Sequence, residues 1–322
     1  MSAPYSDLNA LSQLLWKRGG VSGFCATTLS VTERPLRETV SRLGKWIESA
    51  QAPGARPLGI HLEGPFISRQ ACGAHPPAAI RPIDFSELDG LWEASRGQLK
   101  ILTVAPETLT SIQLKRLCSW ARARQIVLSA GHSRATQDQA LAAFDAGFAG
   151  VTHAWNALSF HHREPGVLGA ALGRSDVYAE LIIDQRHVSP TLIRWTLGLH
   201  PRSAFVSDCV PAAATPTGTW HTFGDLRVRL KDGACELPDG GLAGGGRLLA
   251  QSFCRWFKSE VTHLPQSSSR LLKRSLPHLT SIPLQAIGKR LRHAPGRIRW
   301  SWTPGVSSGS LSFEVDSPSS HR

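Results

Sequence analysis

The sequence predicts an α/β protein of the (β/α)8 barrel class, on three observations. Short apolar runs alternate with segments whose apolar residues recur every three or four positions, which is the pattern of strands followed by helices. Seven such units follow one another along the chain. Polar residues stand at the end of one strand after another, where α/β barrels carry their chemistry. These observations favour a barrel over a sandwich or a doubly wound sheet.

Seven strands are predicted, at residues 23–30, 58–62, 99–105, 126–130, 150–152, 180–183 and 204–207. Helices are predicted between them at residues 35–50, 86–94, 109–125, 136–146 and 190–199. The count is one strand short of a closed barrel, and a barrel open by one strand would leave two unpaired edges.

The chain beyond Asp208 is predicted to be less regular. It offers short strands near 222–230, a Gly-rich turn at 240–246 and basic helices near 248–260, 268–277 and 282–291, before a Ser-rich end. We therefore predict three regions. They are a catalytic barrel over 1–246, a basic helical segment over 247–300 that packs on the barrel, and a disordered tail over 301–322.

Composition narrows the class of protein. The net charge is +12, and between residues 241 and 300 the only acid is Glu260. No nucleic-acid motif accompanies these basic residues, so we expect a solvated basic face and no nucleic-acid partner. The sequence contains no run of about 18 apolar residues, so it predicts no membrane span. The N-terminus lacks the order of a secretory signal, and the six scattered cysteines indicate reduced thiols, so we expect a cytoplasmic protein.

Four polar residues at strand ends form the candidate site. Glu63 ends its strand at Gly64-Pro65, and His132, His153 and Asp208 follow later strands. One carboxylate and two imidazoles suit a catalytic metal ion, which lowers the pKa of a water molecule from 15.7 to about 7. Asp208 could then accept the proton of that water. Each residue alone would be an ordinary loop or core residue, but four at successive strand ends indicate a site for amide hydrolysis.

The same segments resemble the N-acetylglucosamine-6-phosphate deacetylase family of the amidohydrolase superfamily. The matching motifs, in order between about residues 19 and 246, are HLEGPF with GAH after it, SAGHS, VTHAWNAL, REPG, DQRH, SDCVPA and LAGG. His132 and His153 are 21 positions apart, which is the family's spacing. The resemblance is specific because several spaced motifs agree in order.

The resemblance implies a role for each matching residue. Glu63, His132 and His153 would bind one divalent metal ion, with zinc as the first choice and iron, manganese or cobalt as alternatives, and Asp208 would be the catalytic acid and base. Substrate contacts would come from His75, Asn156, Ala157, Arg163, His187, Leu242, Ala243 and Gly244. In the family, the histidine matching His75 lies near the acetamide, and the arginine matching Arg163 can reach the sugar phosphate from the neighbouring subunit, which implies a homodimer.

The chain departs from the family at both ends. Members begin with a small β domain and a barrel strand of the PGFID type, and we expect this chain to lack that strand and most of the accessory β domain. GRIRWSWTPG stands where members have a strand returning to the β domain. The implied reaction is deacetylation of N-acetylglucosamine 6-phosphate to glucosamine 6-phosphate and acetate. Two alternatives stay open, a related amidohydrolase acting on another N-acyl substrate and a truncated, inactive family member.

Overall fold

A curled sheet of seven parallel strands organises the part of the chain that the computed structural model describes, which comprises residues 5–49, 52–263, 298–301 and 312–315. Each strand pairs with the next one in the chain. The strands are β1 (Gly23–Thr28), β2 (Arg56–Glu63), β3 (Leu99–Val104), β4 (Val127–Ala130), β5 (Gly150–Val151), β6 (Tyr178–Ile182) and β7 (Ser203–Val206). All seven predicted strands are confirmed, with bounds shifted by one or two residues at most.

The edges of this sheet are β1 and β7. Within the described ranges, no further strand pairs with the outer side of either one. The sheet therefore has the strand order and the parallel direction of a (β/α) barrel, with seven strands in the described part of the chain.

Helices connect these strands, as the parallel direction requires. Helix α1 (Tyr5–Lys17) precedes β1, and the connecting helices are α2 (Glu33–Glu48), α3 (Phe85–Ala94), α4 (Ser111–Arg124), α5 (Gln137–Ala146), α6 (Gly166–Leu172) and α7 (Pro190–Leu199), with single 3-10 turns at Arg69–Ala71, Pro77–Ala79 and Pro106–Thr108. The five helices predicted between the strands are all present. Capping boxes at Thr110 and Thr136 begin α4 and α5, because each threonine accepts a hydrogen bond from the third helical residue, whose own side chain accepts one in return.

The apolar core lies where these helices pack on the sheet. Helix α2 contacts β1 and β2, and α4 contacts β4. Leu36, Trp46, Leu88, Leu117 and Ile193, from four different helices, are each exposed by 2% or less. Complete burial of such a side chain stabilises the fold by about 1.5–3 kcal/mol, so this layer holds the strands in place.

A second, antiparallel sheet follows β7. It contains β8 (Trp220–Phe223), β9 (Leu226–Lys231), β10 (Ala234–Glu236) and β11 (Leu242–Gly245), in the order β11-β10-β9-β8. The prediction of a Gly-rich turn at 240–246 is wrong in part, because β11 occupies most of this segment. The reason is a close backbone approach. Gly245 donates a hydrogen bond to the Asp208 carbonyl at 2.7 Å, and a Cβ on Gly245 would lie 1.9 Å from the Ser207 carbonyl oxygen.

Helix α8 (Leu249–His263) confirms the first of the predicted basic helices. Its Phe253 and Trp256 rings pack against Phe205 of β7, at 6.1 and 5.5 Å between ring centroids. The helices predicted at 268–277 and 282–291 lie outside the described residues, as does most of the predicted tail. Residues 263–322 form a separate unit, in which β12 (Ile298–Ser301) and β13 (Ser312–Val315) pair antiparallel.

Two further features of the described residues concern membrane-spanning helices and cysteines. No helix in the described ranges is long and apolar enough to cross a membrane. All six cysteines lie within those ranges and are free thiols, as their scattered spacing predicts.

Candidate active site

The predicted site residues converge at the carboxyl ends of the strands. Glu63 is the last residue of β2, and His132, His153 and Asp208 each lie two residues beyond β4, β5 and β7. Three of them have left-handed backbone conformations, with φ of 47° at His132, 33° at His153 and 48° at Asp208. Such conformations cost about 1–3 kcal/mol each for residues other than glycine, and they concentrate at functional sites.

Glu63, His132 and His153 form a compact group, called the donor cluster below. Glu63 Oε1 lies 2.8 Å from His153 Nε2 and 3.0 Å from His132 Nε2, and the two Nε2 atoms are 3.0 Å apart. The three residues are each exposed by 6% or less. In the described part of the chain, this is the one group of three or more His, Cys, Asp or Glu residues close enough to hold a metal ion.

The hydrogen bonds of His132 show that the donor cluster suits a cation. His132 Nδ1 donates to the Ala71 carbonyl oxygen at 2.9 Å, because a carbonyl can only accept. Burial first of all lowers the pKa of His132, to about 4, so the ring is neutral at neutral pH. Its Nε2 therefore presents a lone pair to the Glu63 carboxylate, another acceptor. A divalent metal ion between them fits this set of donors, whose chemistry accepts zinc, iron, manganese or cobalt.

The charges of the donor cluster agree with this assignment. Burial alone would lower the pKa of His153, but the hydrogen bond and charge of Glu63 raise it to about 9. Burial would raise the pKa of Glu63, yet the surrounding His132, His153 and His75 side chains hold it well below its usual range. The pocket thus keeps Glu63 negative and favours positive charge beside it.

His75 joins the donor cluster from the loop after β2. Its Nε2 lies 3.8 Å from Glu63 Oε1. The Ser30 backbone N–H donates to His75 Nδ1 at 3.1 Å, and the Ser30 hydroxyl is 2.7 Å from the same nitrogen. Because a backbone N–H can only donate, Nδ1 is an acceptor and the ring proton of neutral His75 stands on Nε2. His75 therefore offers an N–H donor to the site.

Asp208 borders the donor cluster from the end of β7. Burial, and after it the negative charge of Glu63, raise its pKa to about 6 against the opposing charges of His153, His187 and His75. The backbone of β11 packs on this residue, since a Cβ on Gly244 would lie 2.8 Å from the Asp208 carbonyl oxygen. A carboxylate with a pKa near neutrality is suited to accept and return a proton.

His187 is held by Asp184, a residue that our sequence analysis did not assign to the site. Asp184 Oδ2 lies 2.8 Å from His187 Nδ1, and Oδ1 accepts the backbone N–H groups of Arg186 and His187. Asp184 is 1% exposed. Its position two residues after β6 matches that of His132 after β4, and this spacing is the sequence signal that could have assigned Asp184 to the site. This contact leaves His187 Nε2 directed away from Asp184.

The remaining predicted contacts are distributed around the site. Asn156 donates from its side chain to the His153 carbonyl at 3.1 Å, and the Ala157 carbonyl accepts from Ser133 N–H at 3.0 Å. Arg163 is exposed on the loop before α6. Leu242, Ala243 and Gly244 form most of β11, which borders Asp208. Glu180 on β6, which we had not singled out, accepts the His153 backbone N–H at 3.4 Å.

Comparison with known proteins identifies similar sequences. The chain is 34% identical over 229 residues to N-acetylgalactosamine-6-phosphate deacetylase of Escherichia coli O157:H7, covering 70% of this chain and 59% of that protein. It is 36% identical over 250 residues to N-acetylglucosamine-6-phosphate deacetylase of Bacillus subtilis, covering 76% and 62%. The Danio rerio N-acetylglucosamine-6-phosphate deacetylase is 32% identical over 293 residues, with 87% and 68% covered. No family model matches the chain.

Solved structures show the same similarity. An N-acetylglucosamine-6-phosphate deacetylase of Thermotoga maritima superimposes with a TM-score of 0.70 at 36% identity, covering 78% of this chain and 67% of that one. A variant of the N-acetyl-D-glucosamine-6-phosphate deacetylase of Mycobacterium smegmatis, in complex with N-acetyl-D-glucosamine-6-phosphate, superimposes with a TM-score of 0.76 at 28% identity, covering 88% of this chain and 72% of that one. The chain spans about three fifths of the length of the two bacterial relatives named first.

Proposed function

Because this chain belongs to the N-acetylglucosamine-6-phosphate deacetylase family, we propose that it hydrolyses the acetamide of N-acetylglucosamine 6-phosphate to glucosamine 6-phosphate and acetate. The observation that carries this proposal is the donor cluster, which places three metal-binding atoms within 3.0 Å of one another beside Asp208 and His75. The reaction belongs to the recycling of amino sugars, and the six free thiols support a cytoplasmic location.

In this mechanism, Glu63, His132 and His153 hold one divalent metal ion. When bound, the ion polarises the acetamide carbonyl and lowers the pKa of a water molecule from 15.7 to about 7. His75 donates a hydrogen bond from Nε2 to the carbonyl oxygen, because Ser30 occupies its Nδ1. Asp208 accepts the proton of the attacking water and returns it to the departing nitrogen, a role that its pKa of about 6 suits.

The other predicted contacts bind the sugar phosphate in this proposal. Arg163, with a planar guanidinium, is chemically suited to bind phosphate, and Asn156 and Ala157 supply amide groups. His187, held by Asp184, contacts the sugar, and the backbone of Leu242, Ala243 and Gly244 lines the same side as Asp208.

We further propose that the seven strands correspond to seven of the eight strands of a metal-dependent hydrolase barrel over residues 1–246. The strand corresponding to the first strand of family members would pair between β1 and β7. Helix α8, at the start of the predicted basic segment 247–300, packs on β7 of the barrel. The parallel order of β1 to β7 and the contacts of Trp256 with Phe205 support this arrangement.

A homodimer is the proposed assembly. Phe160, Trp195 and Leu199 are exposed by 51%, 61% and 68%, and the Trp155 ring contacts Phe160 while its N–H donates to Thr196. The loop that carries Arg163 and helix α7 thus present neighbouring apolar side chains, which a second copy would cover. Sedimentation of the wild type and of Trp195→Glu tests this, with a dimer expected for the wild type and a monomer for the variant.

Acetate release tests the function. The purified chain is stripped with a chelator, reloaded in turn with zinc, iron, manganese or cobalt, and supplied with N-acetylglucosamine 6-phosphate. We expect release that depends on metal and falls when the phosphate is missing from the substrate. Absence of release with every metal would favour the alternative of an inactive family member.

A second substrate deserves the same assay because the Escherichia coli relative is an N-acetylgalactosamine-6-phosphate deacetylase. The two sugars differ only in the orientation of one hydroxyl group, so the ratio of their kcat/KM values measures the preference directly. A higher value for the galactosamine substrate would change the proposed substrate and leave the proposed reaction intact.

A further inference from the structure

Four buried polar side chains form a continuous chain of hydrogen bonds beneath the donor cluster, called the polar belt here. His61 Nε2 lies 2.7 Å from Thr103 Oγ1, Thr103 Oγ1 lies 2.7 Å from Thr152 Oγ1, and Thr152 Oγ1 lies 2.7 Å from Ser129 Oγ. Their exposures range from 0% to 6%. The belt therefore crosses four successive strand positions, from β2 to the end of β5, in a region where apolar side chains would ordinarily pack.

The position of the polar belt relates it to the donor cluster. His61 precedes Glu63 by two positions, so both side chains project from the same face of β2. Ser129 stands on β4 three residues before His132, and Thr152 directly precedes His153. Each residue of the donor cluster thus follows a belt member by one to three positions along the chain.

Thr103 is the member that joins these strands. It stands on β3 and contacts both His61 and Thr152 through one hydroxyl. Gly131, the residue before His132, rests on the same side chains, since a Cβ on Gly131 would lie 2.7 Å from Thr103 Cγ2 and 2.9 Å from Thr152 Cβ. One side chain is therefore in contact with the backbone or side chains leading to all three donors.

We propose that Thr103 is a positioning residue for the metal centre. Through its two hydrogen bonds it holds β2 and β5 at the separation that brings Glu63 and His153 together, and its methyl group supports the backbone before His132. Loss of the hydroxyl would leave His61 and Thr152 buried without their shared partner, and the strand ends would relax. This inference rests on the proposed metal centre, although its test does not require deacetylase activity.

Two substitutions separate the hydroxyl from the shape of the side chain. Thr103→Val keeps the shape and removes both hydrogen bonds, whereas Thr103→Ser keeps the hydroxyl. Zinc affinity is measured by competition with a chromophoric chelator. We expect Thr103→Val to bind zinc about 10–100-fold more weakly, as is typical when a group that supports metal ligands is removed, and Thr103→Ser to stay near the wild type.

Ser95→Ala is the matched control, because Ser95 is fully buried and its hydroxyl donates to the Trp92 carbonyl at 2.6 Å, away from the donor cluster. It should keep wild-type zinc affinity. Visible absorption of the cobalt-loaded proteins is a second readout, and an altered band in Thr103→Val alone would show displaced ligands. Wild-type zinc affinity and cobalt spectrum in Thr103→Val would overturn the inference, as would equal weakening in Ser95→Ala. If the wild type itself binds neither metal, the proposed metal centre fails first.

Discussion

The carboxyl ends of the seven strands and the helical layer behind them differ in the side chains that they bury and in backbone conformation. At the strand ends, polar side chains are buried and His132, His153 and Asp208 have left-handed backbones. In the helical layer, buried side chains such as Leu88 and Leu117 are apolar, and α3 and α4 begin at the side-chain caps Asp84 and Thr110. The first region concentrates strain and charge, and the second supplies the burial that keeps them in place. Substitutions should therefore affect activity in one region and stability in the other.

Asp208→Asn should give the largest effect on activity. The amide cannot accept the proton of water, and removal of a general base lowers rates by about 10²–10⁴-fold. We expect kcat for acetate release to fall by that range while zinc affinity, measured by chelator competition, stays close to the wild type. Asp225→Asn is the matched control, because Asp225 is an exposed carboxylate between β8 and β9. Full activity of Asp208→Asn would refute the proposed base.

Leu117→Ala should give the largest effect on stability. Leu117 is fully buried in α4, and the cavity left by such a change costs about 2–5 kcal/mol. Chemical denaturation should show this loss, while kcat and zinc affinity of the folded variant remain at wild-type level. A large fall in zinc affinity with little change in stability would contradict the division between the two regions.

Two glycines sharpen the comparison with the same chemical change. Gly131→Ala places a Cβ 2.7 Å from Thr103 Cγ2, so it should cost about 1–3 kcal/mol and weaken zinc binding. Gly198→Ala, near the end of α7, meets nothing within 4 Å and should stabilise the helix by about 0.5–1 kcal/mol. Thermal unfolding and zinc competition measure both. Similar results for the two variants would remove the distinction between the regions.

His200 should give the smallest effect, through pH. It is 2% exposed, and burial lowers its pKa below the ordinary 6.5, while Nε2 donates to the Val177 carbonyl. The unfolded chain therefore binds more protons below pH 6.5, so this residue's contribution to stability is complete above 6.5 and is lost as the pH falls. His200→Gln keeps the Nε2 donor without the charge. The wild type should lose more stability than this variant between pH 7.5 and 5.5 in denaturant titrations, and parallel losses would contradict the assignment.

Much of the fold could be predicted from the sequence because its signals are local. Apolar runs followed by helical periodicity located all seven strands of the sheet, and polar residues at their ends located Glu63, His132, His153 and Asp208. The short helix α6 was missed because seven residues carry too little periodicity. Strand β11 was interpreted as a turn because its glycines are required by a backbone approach to Ser207 and Asp208, which are distant in the sequence.

The sequence by itself determined the order of strands and helices and the kinds of side chain at each strand end, since both depend on neighbours along the chain. Only the tertiary structure decided which ring nitrogen of His75 carries the proton, that Asp184 holds His187, and that Thr103 joins His61 to Thr152. The first and the third of these depend on hydrogen bonds between residues 42 to 49 positions apart in sequence, which exist only where the folded chain brings those residues together.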